Sequence, residues 1–570
     1  MKQLVFCDID LCVGCNRCTR YCPVETANVV KMDKSGNIKV DIDANRCIAC
    51  GACIEVCGHD ARSYTDDLEK FLGDLRRGAR ISVMIAPAIR ANHDDLGRLI
   101  AWFRKIGVDK VHDVSLGADL CIWAHLRYIQ KHPGSPIITQ PCPAIVNYIL
   151  KYRPSMIKYL SPVHSPMACS AVYMKKYEKI DAPIAAISPC IAKAHEFDRT
   201  GLIKYNVTFE KLFKYLEANN ITLPTQPSNF DHYECGLGSI FSMPGGLKEN
   251  VEFFLGKAVS IDKCEGPDVV YHALDEYEKQ QKKNLPAVFD VLNCLEGCNV
   301  GPGTGHSKNI FEMSRSMDQA RKAASEGRDR SYFESLFQQY DEKFKLEHFL
   351  CSYTPTPINI PSVTSTDIER AYLAMEKKTE MQRKFDCSAC GSNTCYDMAR
   401  KIVLRVNIPE NCMQTNREKA EAEHRILAEL QEVNINNASQ IEREIDRIKE
   451  SVTKIYSNIS TISSSIAGFG TLERTIDDIA ATINIIAINA SIEAARVGNA
   501  GKAFGVIAAE VQSLAKASQD SIKQNHEVFS AAKSSVGEIE TMMKQILDIV
   551  TTAYDKIHNI NLANKGNVIQ

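Results

Sequence analysis

The sequence predicts a multidomain chain of α+β and α/β character that ends in a C-terminal antiparallel helical coiled-coil hairpin. Three observations predict it. The 22 cysteines cluster instead of scattering. Between residues 80 and 310, apolar strand-like runs such as "ISVMIAPAI" and "APIAAISPC" alternate with helical stretches, the pattern of an α/β domain. Beyond residue 413, cysteine, proline and tryptophan all vanish and apolar residues recur every 3.5 positions. The expected divisions are 1–65, 80–350, a linker at 351–386, 387–415 and 416–562.

Bulk composition narrows the function classes. A chain of 570 residues holds several domains. Hydrophobic content of 45% and charged content of 24% are ordinary for a soluble protein. A net charge of −2 gives no basic field for nucleic acid. The opening "MKQLVFCDID" has no cationic region, apolar core and cleavage site, so no signal peptide is expected. Apolar runs fall short of the roughly 18 residues a membrane span needs, so no membrane partner is expected. The expectation is a cytoplasmic protein whose cysteines hold metal.

The N-terminal domain carries nine cysteines. Residues 12–23, "CVGCNRCTRYCP", read C-x2-C-x2-C-x3-C-P, and residues 47–57, "CIACGACIEVC", repeat the spacing with Gly58 in place of the proline. Thiolates on so tight a loop reach three corners of one cubane, and the fourth ligand comes from the other motif. Cys12, Cys15, Cys18 and Cys57 would hold one 4Fe-4S cluster; Cys47, Cys50, Cys53 and Cys22 the other. The domain resembles a bacterial two-cluster ferredoxin. A pair of structural zinc sites is the alternative. Cys7 lies outside the spacing and is expected as a small buried residue.

In the α/β domain one cysteine, Cys142, stands between two prolines in "TQPCPAIV". Cys190 lies in "SPCIAK", and Cys294 and Cys298 in "LNCLEGC". Spacing alone does not join them. The three stretches, in this order, resemble the cysteine motifs of the FeFe-hydrogenase catalytic domain over roughly residues 80–350. Thr139 to Pro143 match the first motif. Ser188, Pro189, Cys190, Lys193 and Glu196 match the second. Asn293, Cys294, Gly297, Cys298, Gly301 and Gly303 match the third. "APAIR" at 86–90 and "PGG" at 244–246 are also similar to family stretches.

The resemblance implies an α/β FeFe-hydrogenase fold and an H-cluster: a 4Fe-4S cubane bridged to a two-iron centre carrying CO, cyanide and a dithiolate. Cys142, Cys190, Cys294 and Cys298 would bind the cubane, and Cys298 would bridge to the two-iron centre. Lys193 would donate hydrogen bonds to a cyanide, and Glu196 would pair with it. Outside this motif the pair reads as an ordinary helix-start ion pair. Backbone at Pro87 and Ala88 would approach the diatomic ligands. Pro141, Ser188 and Leu292 would line the cofactor.

The departures from the family carry as much information. Active members bear a relay thiol where this chain has Pro141, which cannot titrate. Carboxylates of the outer relay are replaced by His125 and Tyr128, while Ser161 remains. Ser188 and Leu292 stand in place of methionines, and Met167 in place of a glutamine. His125 is the natural substitute, because imidazole titrates near neutrality; its plain alternative is space filling. Proton transfer is expected by an altered or a slow route.

Residues 330–385 read as a connector, with a charged helix around 332–349 and a Pro/Thr loop, "SYTPTPINIPSVTST". After it, Cys387, Cys390, Cys395 and Cys412 follow a C-x2-C-x4-C-x16-C spacing. This is similar to a small iron–sulfur domain of anaerobic redox enzymes and implies a third further 4Fe-4S cluster; zinc suits four thiolates as well.

In the C-terminal part, Ile441, Ile445, Ile448, Val452, Ile455, Ile459, Ile462, Ile466 and Phe469 alternate by four and three, the seam of a left-handed coiled coil. A second seam follows "RVGNAG", and arms of about 60 residues make a rod of roughly 90 Å. One hairpin leaves apolar positions over, so a homodimer or higher assembly is expected. A purely structural stalk is the alternative. Residues 482–518 resemble the signalling hairpin of methyl-accepting chemotaxis receptors, which implies that Glu493 and Arg496 contact neighbouring hairpins or a chemotaxis-type kinase and adaptor.

The reading is a sensory FeFe-hydrogenase working on H2 and protons, with ferredoxin or another electron carrier as a further partner. The alternatives are a metabolic hydrogenase with an oligomerising rod, and an iron–sulfur scaffold lacking the two-iron centre.

Overall fold

The computed structural model describes residues 2–139, 142–231, 236–255, 259–305 and 308–566. Two compact units result, Met1–Arg417 and Glu418–Gln570. Pro141 lies outside the described residues.

The first unit opens with two short antiparallel pairs. β1 (Val5–Cys7) pairs with β4 (Arg62–Tyr64), and β2 (Asn28–Met32) with β3 (Ile38–Ile42). The first cysteine motif fills the loop between β1 and β2, and the second that between β3 and β4. This is the ferredoxin-like dicluster arrangement the spacing predicts.

Two parallel sheets follow. β5 (Ser82–Ile85), β6 (Val111–Asp113), β8 (Ile184–Ser188) and β9 (Tyr205–Thr208) form one sheet in the order β6-β5-β8-β9. β7 (Ile137–Ile138), β10 (Ile261–Glu265) and β11 (Val288–Leu292) form the other, in the order β10-β11-β7. "SVMI" and "IAAIS" are buried at every position, as strands covered on both faces require. Helices α1 (Val114–Lys131), α2 (Pro143–Tyr152) and α4 (Lys193–Thr200) each begin within about five residues of the end of a parallel strand, so their N-termini lie toward the edge where these sheets end, whereas α3 (Pro166–Val172) follows a 3-10 turn over Pro154–Tyr159.

The stretch 351–386 is more than the expected linker. After an irregular segment, α5 (Ser365–Ala374) starts at a capping box in which Thr364 and Asp367 satisfy each other's backbone N–H groups. It packs with α6 (Cys395–Val403) around Ile368, Ala371, Met375, Met398 and Ala399. The expected helix at 332–349 is a helix over Arg330–Lys343 followed by a 3-10 turn over Leu346–Phe349.

In the second unit, α7 (Met413–Arg496) and α8 (Lys502–Gly566) are joined by a 3-10 turn over Gly498–Gly501. Gly498 adopts φ +66°, and a Cβ on Gly501 would lie 2.2 Å from the Ala494 carbonyl oxygen, so the turn demands both glycines. The heptad splits by face. Val452 and Ile459 are buried with Met543 of α8, and Ile445 is buried too, whereas Ile441, Ile448, Ile455, Ile462 and Phe469 remain 40–49% exposed. At 84 residues, with an 18-residue window of mean hydropathy 1.2 of which 11% is buried, α7 is long and apolar enough to cross a membrane by length and composition, contrary to the sequence expectation.

Candidate functional site

The ends of the parallel strands converge on one cavity. Its walls include Ala86, Pro87 and Ala88 after β5, Val114 after β6, Cys142 after β7, Pro189 and Cys190 after β8, and Leu292 to Cys294 after β11. About 760 Å³ of atom-free space, part of it open to solvent, lies between these walls. In open parallel sheets, ligands bind beyond the carboxyl ends where strand order reverses, and β5, paired with β6 on one side and β8 on the other, marks that point.

All four distant cysteines, Cys142, Cys190, Cys294 and Cys298, line this cavity. Cys142 caps α2 with Pro143 at its first turn, a position that costs a proline no hydrogen bond. The glycines of the third motif permit the approach: a Cβ on Gly301 would lie 2.4 Å from the Pro189 carbonyl oxygen. Burial and mutual repulsion, in which Cys142 takes part, push Cys190 and Cys298 up to about 12 and Cys294 well above the usual thiol range. Four thiols so placed carry negative charge only when a cationic group neutralises them. The donor set thus fits an iron–sulfur cluster.

One cation reaches this apolar cavity. Lys193 lines it, is 6% exposed, and binds Glu196 Oε2 at 2.5 Å and Ser165 Oγ at 3.0 Å. Ser165 also donates to Glu196. Burial alone would raise the Glu196 carboxyl, but the charge and hydrogen bond of Lys193 hold it below its ordinary value. Ser165, which completes this buried network, escaped sequence reasoning. Leu292 and Met167 also line the cavity. Ser188 instead closes a tight turn: its hydroxyl accepts from Cys190 N at 3.0 Å and donates to the Cys190 carbonyl at 3.1 Å.

His125 and Ser161 meet. Nε2 of His125 lies 2.9 Å from Ser161 Oγ, and Nδ1 lies 2.8 Å from the Cys121 carbonyl. The carbonyl can only accept, so Nδ1 carries the proton and neutral Nε2 accepts from the serine. Cys121 Sγ stands 3.6 Å from Nδ1. Burial raises the Cys121 thiol, but a hydrogen bond with Cys169 and the charge His125 carries when its ring is protonated outweigh it and bring the thiol down. Tyr128 stacks on His132 at 4.2 Å between centroids.

In the dicluster domain, Cys22, Cys47, Cys50 and Cys53 line a second, small cavity with Val24, Ala27 and Ile48. Cys12, Cys18 and Cys57 share another packed cluster of side chains, and Cys15 is exposed. Arg62 donates to Cys18 Sγ at 3.1 Å and to the Val40 carbonyl at 3.0 Å, a buried cation beside the thiols that no motif announces. Cys7 is half-buried beside them, and burial pushes its thiol up to about 11.

Cys390, Cys395 and Cys412 share the core of the small domain, and Cys387 and Cys412 both act electrostatically on Cys390. The domain docks on the first cysteine motif: Asn16 Nδ2 donates to Asn411 Oδ1 at 2.7 Å, Arg400 pairs with Glu25 at 3.0 Å, and Val30 N donates to the Val406 carbonyl at 2.9 Å. Among the described residues, no three His, Cys, Asp or Glu side chains stand close enough to share a single metal ion. At the hairpin turn, Glu493 and Arg496 pair at 3.5 Å and are both exposed.

Comparison with known proteins finds three family matches along the chain. Residues 79–302 match the C-terminal domain of the iron only hydrogenase large subunit. Residues 11–61 match a 4Fe-4S dicluster domain, and residues 428–565 the methyl-accepting chemotaxis protein signalling domain. The periplasmic Fe hydrogenase large subunit of Nitratidesulfovibrio vulgaris is 27% identical over 348 residues, 55% of this chain and 80% of that protein. The NADP-reducing hydrogenase subunit HndD of Solidesulfovibrio fructosivorans is 25% identical over 326 residues, and the chain spans 55% of its length. The methyl-accepting chemotaxis protein TlpQ of Pseudomonas aeruginosa is 33% identical over 126 residues, 22% of this chain and 16% of that one. An FeFe-hydrogenase structure from Chlamydomonas reinhardtii aligns over 52% of this chain and 100% of its own, at 17% identity and a TM-score of 0.39.

Proposed function

We propose that this chain, in which an N-terminal 4Fe-4S dicluster domain and an FeFe-hydrogenase catalytic domain are fused to a methyl-accepting chemotaxis signalling domain, senses hydrogen and reports it through the hairpin. The observation that carries the reading is that Cys142, Cys190, Cys294 and Cys298 line one cavity together with Lys193. When bound, the H-cluster, a cubane plus a two-iron centre with CO, cyanide and dithiolate, supplies the reversible splitting of H2 into two protons and two electrons.

The protein's own groups do the rest. Cys142, Cys190, Cys294 and Cys298, which line one cavity, would hold the cubane, and Cys298 would also serve the two-iron centre. Lys193 presents an ammonium to an anionic ligand, and its hydrogen bonds to Glu196 and Ser165 hold it in place. Pro87, Ala88, Met167 and Leu292 exclude water. Pro141 cannot pass a proton, so the transfer falls to His125, which takes a proton at Nε2 once the Ser161 hydroxyl turns away. Turnover by this route is slow, and slow turnover suits a sensor that responds to redox state instead of flux. The dicluster cysteines, and Cys387, Cys390, Cys395 and Cys412, would hold three further 4Fe-4S clusters, which would supply one-electron redox chemistry. The exposed stripe of the hairpin pairs with a second copy, and Glu493 and Arg496 meet a kinase or adaptor of the chemotaxis type.

Infrared spectroscopy of the matured protein tests the reading. Bands from bound CO and cyanide that shift when argon is exchanged for H2 are expected. A matured protein without such bands is an iron–sulfur scaffold, and the proposal fails.

A further inference from the structure

The small cysteine domain ends where the signalling helix begins. Cys412 is buried and directly precedes Met413, the first residue of α7. On the first turn, Thr415 holds its hydroxyl between two acceptors, the Met375 carbonyl at 2.9 Å and Cys412 Sγ at 3.3 Å. A hydroxyl has one proton and donates fully to only one of them. The two acceptors belong to different parts of the domain. Met375 caps the C-terminus of α5 and is 1% exposed. Cys412 belongs to the four-cysteine site.

We infer that Thr415 is a redox-responsive latch: its hydroxyl ties the first turn of α7 to the Met375 carbonyl while the cluster on Cys387, Cys390, Cys395 and Cys412 is oxidised, and turns to Cys412 Sγ when that cluster is reduced. The inference rests on the reading that these cysteines hold a 4Fe-4S cluster reached by electrons from hydrogen. Oxidation of one H2 releases two protons and two electrons. One electron reduces this cluster, and the other stays on a cubane of the dicluster domain. The reciprocal Asn16–Asn411 amide pair, with Asn411 Nδ2 also donating to the Cys390 carbonyl at 3.2 Å, holds the two cysteine sites together for that step.

The direction follows from charge. Reduction adds one negative charge, spread over the cluster and its thiolates. Hydrogen bonds to ionised acceptors are about twice as strong as neutral ones, so the sulfur gains on the carbonyl, whose charge does not change. Hydrogen bonds to ligand sulfur also stabilise the reduced cluster. The latch therefore works both ways: reduction frees the helix start from α5, and the freed hydroxyl raises the cluster's potential.

The test uses the full chain with its clusters loaded, as wild type, Thr415→Val and Thr415→Ser. Hydrogen–deuterium exchange is followed at residues 413–420 after oxidation, after dithionite and after H2, with an EPR-monitored redox titration of the cluster, assigned by its loss in Cys387→Ser. Wild type should exchange roughly fivefold faster when reduced, the factor that losing one ordinary hydrogen bond gives. Thr415→Val should exchange fast in both states and titrate at lower potential; Thr415→Ser should behave as wild type. Redox-dependent exchange that survives in Thr415→Val overturns the latch, as does equal exchange in oxidised and dithionite-reduced wild type, or zinc in place of iron on these cysteines. A response to dithionite without one to H2 keeps the latch and removes the hydrogen-sensing reading. Cluster reduction by H2 without a change in exchange does the reverse.

Discussion

Asn293 joins two cysteine sites: its Nδ2 donates to the Cys50 carbonyl at 3.3 Å and stands 3.9 Å from the sulfur of its neighbour Cys294. Its oxygen accepts from the buried Tyr271 hydroxyl at 2.7 Å. Asn293→Ala removes both links and leaves a buried carbonyl and a buried hydroxyl unpaired, at a cost of about 1–3 kcal/mol each. The variant should melt at lower temperature, and H2 should reduce the dicluster cubanes more slowly than in wild type. Stopped-flow absorbance checks the second effect; an unchanged reduction rate would remove Asn293 from the electron path.

The Lys193–Glu196 pair is buried on both sides, at 7% and 4% side-chain exposure. Lys193→Met strands a carboxylate in the interior, and Glu196→Gln strands an ammonium against the cavity. Each single change should destabilise by roughly 3–5 kcal/mol, and the double variant by clearly less than the sum. Chemical denaturation of the three variants gives the cycle. Additive losses would mean that the two groups do not act on each other.

How far the site was legible depended on sequence distance. Cys12, Cys15 and Cys18 announce a cluster because a tight loop returns a thiolate every three residues. Cys142, Cys190 and Cys294 stand 48 and 104 positions apart by their numbering, and only parallel strands ending together unite them. Motif resemblance found those cysteines; nothing local could. Ser165, Asn293 and Arg62 escaped because a donor's partner is set by tertiary packing. The helix over 365–374 did leave a signal, the Thr364–Asp367 capping box, which the preceding Pro/Thr run obscured. The 3.5-residue period gave the hairpin, but both of its seams are equally apolar. Which one faces α8, Ile445 or Ile441, was settled only by the packing.

The exposed stripe should drive self-association. Ile448 and Ile455 are 44% and 40% exposed, beside the buried row of Ile445, Val452 and Ile459. Soluble monomers rarely keep such apolar stripes open to water. Ile448→Glu with Ile455→Glu should halve the solution mass by light scattering while leaving the helical circular dichroism near that of wild type. An unchanged mass would place the contact elsewhere.

Asp119 sets a pH dependence. It is buried and accepts N–H bonds from Gly236 and Gly238, yet burial raises its carboxyl from 3.8 to about 7. The folded state therefore binds this proton more tightly than the unfolded chain does. Its contribution is fully present below the unfolded value, is lost as pH rises toward about 7, and stays lost above that. The melting temperature should fall between pH 5.5 and 7 and flatten beyond. Asp119→Asn, whatever its absolute stability, should show a shallower slope over that range. An identical slope in the variant would assign the dependence to other groups.

The proton route offers the most direct functional test. His125 Nδ1 is committed to the Cys121 carbonyl, so only Nε2, facing Ser161 Oγ at 2.9 Å, can take up a proton. Val163 N lies 3.3 Å from the same oxygen, so the hydroxyl has a donor at its back when its own proton points to the histidine. Protonation of Nε2 requires the hydroxyl to rotate and accept. His125→Ala should therefore lower hydrogen oxidation with an artificial mediator by roughly 10²–10⁴-fold, the usual contribution of an acid–base group. Ser161→Ala should lose less, because water can replace a hydroxyl more readily than a titrating ring. The cluster's infrared bands should be unchanged in both variants, which separates a relay defect from lost iron. Pro141→Cys, which restores a thiol at the relay position, should raise turnover, but only in part, because His125 and Tyr128 still replace the outer carboxylates. Full activity in His125→Ala with intact bands would show that protons leave by another path and that His125 only fills its place between α1 and the Ser161 loop.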